Sequence, residues 1–272
     1  MTGAPALPGV LICAGLDPSG GAGLIADVRV VSELGARAVG VVTALTVQNT
    51  TGAIAVEPVA AALVREQLEL LLSDIEVRAV KIGMLGASEV AGAIAAALAL
   101  TAAPVVWDPV VAPSRGEVQL VEGGLAEAVE ALAPHVALMT PNAFELGLLG
   151  GRRIANLDDA IAMGETLAAR LGCAVLVKGG HLAGDGPSFA AGDAPGEAID
   201  VLCHDGVREV LRGPRFVDGE HVHGTGCALS SAIAAHLARG ADLVEACRAA
   251  KAYVAARIAA PVRPGRGAAA VV

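Results

Sequence analysis

His223-Gly224-Thr225-Gly226-Cys227 runs directly into Ala228-Leu-Ser-Ser-Ala-Ile-Ala-Ala-His236, an apolar helical stretch. Gly224 and Gly226 free the backbone ahead of the helix, so the loop can curl with several N–H groups aimed at one point. The positive end of the helix adds to that field. Such a loop is an anion site, most naturally for a phosphate. Cys227 stands at the helix start, where the dipole favours a thiolate and predicts a lowered pKa. A phosphate cradle beside an activated thiol points to phosphoryl transfer. The same residues also fit an ordinary Gly-rich helix start followed by a small buried cysteine, so the surrounding chain has to decide.

The chain has 272 residues, with 54% hydrophobic residues and only 2% aromatic. Its core must come from aliphatic helix faces and strands, and the length suits one large α/β domain or two small ones, of which one domain spanning 1–272 is expected. The formal net charge is −9, and no block of like charge interrupts the sequence. That argues against a nucleic-acid partner. An acidic protein binds anionic phosphates with local backbone dipoles and Mg²⁺ rather than with bulk charge. Five cysteines, at 13, 173, 203, 227 and 247, include no Cys-x-x-Cys. They read as reduced cytosolic thiols without a zinc site. The first residues, Met-Thr-Gly-Ala-Pro-Ala-Leu-Pro, have no basic region and do not read as a signal peptide. The longest apolar run, Val90–Trp107, is broken by Pro104 and reads as helix, turn and buried strand rather than a membrane span. A cytoplasmic protein without a membrane partner is expected.

Outward from the opening loop, two helices close the chain, Cys227–Arg239 and Asp242–Ala259, the second with an Asp242-x-x-Glu245 capping box. Upstream, residues 183–222 lose helical periodicity, and Ala198–Cys203 with Val207–Leu211 reads as a hairpin around Gly206. Farther back, apolar runs alternate with amphipathic stretches: strands at Val10–Ala14, Ala38–Val47, Ala79–Ile82, Val105–Trp107, Val136–Met139 and Cys173–Val177. The helices between them span about Leu24–Leu34, Val59–Leu72, Ser88–Leu100, Leu125–Leu132 and Leu157–Leu171. Such alternation predicts an α/β fold with a mainly parallel sheet covered by helices on both faces.

Ligands of open parallel sheets sit outside the carboxyl ends of the strands, and the polar loops of this chain fall there. Gly15–Gly23 starts like a P-loop but has Gly21-Ala22 where Lys-Ser/Thr is required. Gly21-Ala-Gly23-Leu-Ile-Ala26 fits a dinucleotide fingerprint, but Gln48 stands where a ribose-binding acid is needed. A tight loop lining a small-molecule pocket fits better, with Asp27 as a polar pocket group or as a charge near a helix N-terminus. Gln48 offers both a donor and an acceptor to a heterocycle edge, or is a turn amide. Asp108, in Asp108-Pro-Val110, can bind Mg²⁺ or its water, or simply form an Asp-Pro turn. Asn142 and Glu145 share one helix face, suiting a hydrated Mg²⁺ near phosphates or plain capping. Lys178, followed by Gly179-Gly180, can approach a nucleotide.

Taken in order, these stretches resemble the hydroxymethylpyrimidine kinase/phosphomethylpyrimidine kinase family of thiamine biosynthesis, within the ribokinase-like superfamily. The resembling pieces are Ala14–Asp27, Thr43–Thr50, Lys81–Leu85, Asp108–Val110, Thr140–Asn142 with Glu145, Val177–Leu182 and His223–Cys227. The resemblance implies a ribokinase-like fold with a small β-hairpin near 197–212. It implies transfer of the ATP γ-phosphoryl to the hydroxymethyl of an aminopyrimidine, then to its monophosphate. Gln48 would read the pyrimidine edge, with Gly15, Asp27, Met84 and Val110 forming its pocket. Gly224, Thr225 and Gly226 would form the anion hole, and Cys227 the base. Asp108 and Glu145 would hold Mg²⁺, Asn142 would serve the phosphates, Lys178 would meet the nucleotide, and a homodimer would be expected. Leu16, Val111, Pro113-Ser114-Arg115 and the short Pro264–Gly267 tail depart from the family pattern. Pyridoxal kinase, of the same fold and chemistry, is the alternative, and a non-catalytic pyrimidine sensor is a further one.

Overall fold

A computed structural model describes residues 6–111, 121–122, 124–179, 196–216, 219 and 222–272. The chain lays down β1 (Gly9–Leu16), α1 (Gly23–Glu33), β2 (Arg37–Asn49), β3 (Gly52–Pro58) and α2 (Ala61–Asp74). It continues with β4 (Ala79–Ile82), β5 (Gly86–Ala87), α3 (Ser88–Leu98), β6 (Val105–Trp107), β7 (Val121–Glu122), α4 (Leu125–Leu132) and β8 (Leu138–Met139). Then come α5 (Ala143–Gly150), α6 (Leu157–Leu171), β9 (Ala174–Lys178), β10 (Glu197–His204), β11 (Val207–Pro214), α7 (Thr225–Ala238) and α8 (Leu243–Ala259).

Among the described residues, nine strands form one sheet in the order β11-β10-β9-β8-β6-β4-β1-β2-β3. The six from β9 to β2 run parallel, and an antiparallel hairpin closes each edge. β1 shows why this sequence makes a central strand. Seven of its eight residues are buried, so it is apolar throughout rather than alternating, as a strand covered on both faces must be. Leu11 and Cys13 point into one core with Val64, Ile94, Leu132 and Leu167 of α2, α3, α4 and α6. Val10, Ile12 and Ala14 point to the other, against Val30, Ile233 and Ala250 of α1, α7 and α8. Each such Val, Leu or Ile contributes about 1.5–3 kcal/mol when fully buried. α7 is buried nearly all round and correspondingly rich in Ala.

The expected α/β architecture and the 197–212 hairpin are both present. The hairpin turns through Asp205 (φ 47°) and Gly206 (φ 72°), the left-handed pair that a two-residue turn requires. One expectation is corrected. β2 runs on to Asn49, so Gln48 lies on a strand rather than in a loop, and β3 follows it antiparallel. β3 is an edge strand with a half-exposed pattern and an exposed Ile54, so it carries no buried apolar run to betray it. The chain end folds back onto the opening loop. Ala270 bridges both Val262 and His223, and Ala268–Val271 are buried.

Candidate active site

A cleft of about 320 Å³ opens at the carboxyl ends of the parallel strands. Twelve of the thirteen residues singled out from the sequence line it: Gly15, Gln48, Met84, Asp108, Val110, Asn142, Glu145, Lys178, Gly224, Thr225, Gly226 and Cys227. β1, β2, β4, β6 and β9 each deliver one or more of them, which is how residues so far apart in sequence meet.

The anion loop proves to be the first turn of a helix. Gly224 is the N-cap of α7 with φ 83°, and a Cβ there would collide with the Gly21 carbonyl. Only glycine fits. The Thr225, Gly226 and Cys227 N–H groups belong to the first helical turn, which has no acceptors of its own. A Cβ on Gly226 would stand 3.2 Å from Lys178 Nζ and 3.4 Å from Asp108 Oδ2. The bare glycine thus keeps the space between the anion loop and the charged residues open.

Cys227 does not have the lowered pKa expected of it. Burial pushes its thiol up to about 11; Lys81 and a hydrogen bond from the Gly23 N–H pull it down, while Asp27 and Asp108 push it up. The helix dipole acts on a half-buried group in the cleft wall, and desolvation outweighs it. At neutral pH the resting form is the thiol.

Asp27 is the exception among the expected pocket residues. It is fully buried behind the cleft wall, where its Oδ2 accepts from Lys81 Nζ at 2.5 Å and its Oδ1 from Ser231 Oγ at 2.8 Å. Burial would lower the Lys81 pKa, but Asp27, Cys227 and Asp108 together outweigh it and hold the ammonium above its ordinary range. Ser231 lies one turn beyond Cys227 on α7, so the pair sits directly beneath the thiol. The sequence places Asp27 on the apolar side of α1, a signal that it needs a partner inside.

A second charge cluster faces the anion loop. Asp108 Oδ1 accepts from Lys178 Nζ (2.7 Å) and Thr140 Oγ1 (3.1 Å), and Glu145 Oε2 is 3.9 Å from the same ammonium. Glu145 Oε2 also accepts from the Asn142 N–H (2.8 Å), and Asn142 Oδ1 from the Glu145 N–H (2.9 Å). The capping box and the site are therefore the same residues. Burial pushes Glu145 up to about 7 against the pull of Lys178, a carboxyl poised to ionise when a further cation arrives.

Both ends of the cleft hold residues that the sequence reading missed. At one end, His223 Nε2 is 3.1 Å from Asp17 Oδ2 and 3.2 Å from Gln48 Nε2. Burial raises the Asp17 pKa, but hydrogen bonds from His223 and Ser19 outweigh it and hold the carboxyl below its ordinary range. Asp17 precedes Pro18-Ser19, the one hint that its side chain caps a turn. At the other end, Asp200 accepts from Lys251 Nζ (2.6 Å) and from the Gly179 N–H (3.0 Å), beside the apolar Phe216, Val254 and Ile258. Nothing local in the sequence pairs residues so distant. His181, Pro113-Ser114-Arg115 and much of 183–222 lie outside the described residues.

A family model described as phosphomethylpyrimidine kinase matches residues 17–272. The chain belongs to the phosphomethylpyrimidine kinase family. It is 42% identical over 262 residues to the hydroxymethylpyrimidine/phosphomethylpyrimidine kinase of Rhizobium meliloti (strain 1021), covering 94% of each chain. Among solved structures it is similar to the pyridoxal kinase from Staphylococcus aureus in complex with ADP, with a TM-score of 0.84, 30% identity, and 98% and 93% of the two chains covered. A phosphomethylpyrimidine kinase from Clostridium difficile 630 matches with a TM-score of 0.73 and 34% identity over 93% of this chain and 99% of that one. Within the phosphomethylpyrimidine kinase family framework, Gly15 is explained by Met84: a Cβ on Gly15 would overlap the Met84 methyl, so the two together shape one wall.

Proposed function

We propose that the protein transfers the γ-phosphoryl of ATP to the hydroxymethyl of 4-amino-5-hydroxymethyl-2-methylpyrimidine, and then phosphorylates the monophosphate to the diphosphate, in thiamine biosynthesis. The observation that carries this is the single cleft in which the α7 anion turn faces Lys178, Asp108 and Glu145, with Gln48 at one end and the Asp200–Phe216 region at the other. Gln48, Gly15, Met84 and Val110 hold the pyrimidine with its hydroxymethyl toward Cys227. The Gly224, Thr225 and Gly226 N–H groups hold the transferring phosphoryl, and Lys178 and Asn142 meet the nucleotide phosphates. The new bond joins the hydroxymethyl oxygen to the γ-phosphorus while the β–γ bridging bond breaks and ADP leaves. The hydroxyl proton passes to the Cys227 thiolate, the minor form that Lys81 supports from below. Positioning and charge stabilisation carry most of such a transfer.

Mg²⁺ fits the donor set. Asp108 and Glu145 are two carboxylates on one side of the anion turn, and Mg²⁺ beside phosphates commonly takes one or two carboxylates and completes its shell with phosphate oxygens and water. Among the described residues no cluster of three or more His, Cys, Asp or Glu forms a self-sufficient metal cage, in keeping with a metal carried with the nucleotide. When bound, it neutralises phosphate charge.

The likeness to pyridoxal kinases favours one second reading, pyridoxal as the acceptor. ADP release with Mg-ATP, measured side by side with the hydroxymethylpyrimidine, its monophosphate and pyridoxal, tests both. Turnover of both pyrimidines is expected. Turnover of pyridoxal alone replaces the substrate, and turnover of none replaces the enzyme with a sensor.

A further inference from the structure

The phosphoryl-transfer mechanism gives Asp17 and His223 no task, although both line the cleft beside Gln48. Among the described residues His223 Nε2 has two neighbours, Asp17 Oδ2 and Gln48 Nε2, and one hydrogen at most to share between them. Asp17 decides where it goes. Its Oδ1 accepts from the Ser19 N–H (2.8 Å) and its Oδ2 from the Ala22 N–H (3.1 Å), so the carboxylate cannot swing away and can only accept. The ring cannot retreat either. The His223 N–H donates to Ala269 O at 2.7 Å, its carbonyl accepts from the Val271 N–H at 3.2 Å, and a Cβ on Gly21 would stand only 2.8 Å from its Cδ2.

A bare Nε2 would set its lone pair against a pinned carboxylate oxygen. Nε2 therefore carries the hydrogen and donates it to Asp17. A Gln48 NH2 aimed at that nitrogen would then oppose one N–H with another. A half-turn of the amide exchanges two atoms of nearly equal size and removes the conflict. The oxygen turns to the ring and the NH2 to the cleft. We propose that Asp17 and His223 are positioning residues that fix the Gln48 amide with its NH2 directed into the cleft, so that the substrate must present a hydrogen-bond acceptor there, an unprotonated aromatic ring nitrogen. The identity of that acceptor rests on the pyrimidine reading above; the ring tautomer does not. The folded-back chain end thereby serves substrate recognition, because its residues Ala269 and Val271 hold the histidine in place.

Long-range proton–nitrogen correlation spectra of the histidine rings test the tautomer without any substrate, with His223→Gln identifying the signal. A protonated Nε2 is expected in the wild type, and a bare Nε2 overturns the proposal whatever the enzyme phosphorylates. Kinetics test the consequence. Asp17→Asn is expected to raise KM for the pyrimidine about tenfold while KM for ATP and kcat stay within about twofold, since one amide is mispaired and nothing else is moved. In a Gln48→Ala background the same change is expected to do nothing further. An equal effect of Asp17→Asn in both backgrounds would mean a merely structural role and would sink the proposal. A wild type idle with the pyrimidine yet showing the protonated Nε2 overturns the substrate reading and leaves the positioning pair standing.

Discussion

Replacing Lys81 by Met removes the cationic half of an ion pair in which both side chains are wholly out of solvent. Met keeps most of the lysine stem's volume, so the perturbation is electrostatic rather than a cavity. Among the described residues, the Asp27 carboxylate is left with the Ser231 hydroxyl at 2.8 Å as its side-chain hydrogen bond. Breaking a buried pair from one side costs about 3–5 kcal/mol, whereas replacing both partners by uncharged groups is close to neutral. Asp27 in the variant escapes part of this cost by taking up a proton. Burial already holds its folded-state pKa above the ordinary value against the pull of Lys81, and losing Lys81 raises it further. The folded state binds the extra proton, and stability is fully present below the unfolded pKa and lost as pH rises. The slope is about 1.4 kcal/mol per pH unit until the folded-state pKa is reached. Urea denaturation of Lys81→Met at several pH values between 5 and 8 should therefore show a protein weaker than wild type and weaker still at the alkaline end. Lys81→Met/Asp27→Asn, which keeps an acceptor for Ser231, should recover to within about 1 kcal/mol of wild type and lose the pH slope. That double variant folds but lacks the cation beneath Cys227, so its turnover should stay low. A single variant as stable as wild type, or one whose stability is flat across that range, would refute the reasoning.

Cys227→Ala should lower turnover by about 10²–10⁴-fold, the usual worth of a proton acceptor, while ATP binding by calorimetry survives; wild-type turnover in that variant removes Cys227 as the base. With the thiol pushed up to about 11, wild-type kcat should climb with pH by up to about tenfold per unit between roughly 6 and 9 as the thiolate fraction grows, and a flat profile would place the proton elsewhere. Gly224→Ala forces a side chain into a φ of 83° and onto the Gly21 carbonyl; it should cost about 1–2 kcal/mol in stability and, by shifting the anion turn, about 10²-fold in turnover. Light scattering of the purified protein should give twice the 26.9 kDa chain mass, the homodimer implied by the family resemblance, and a single-chain mass would remove that reading.

The sequence by itself determined the layered architecture and most element limits. Ala79–Ile82, Val105–Trp107, Leu125–Leu132 and Leu157–Leu171 come out as read, because apolar period and capping are local. It also placed twelve of the residues it singled out at one edge, where they line the cleft, since strand order obliges the loops of a parallel sheet to gather there. The tertiary structure alone decided how those residues behave. Gln48 belongs to a strand because β3 pairs with it, and an edge pairing leaves almost no apolar signature. Asp27 left the pocket for Lys81, 54 residues away, and Asp17 met His223 across 206. Cys227 stands at a helix N-terminus, as its sequence context says, yet keeps its proton because its half-buried place in the cleft wall costs the thiolate more hydration than the helix dipole returns. Hydrogen-bond partners and solvent exposure are set by whatever else packs nearby, and no local stretch of chain contains that information.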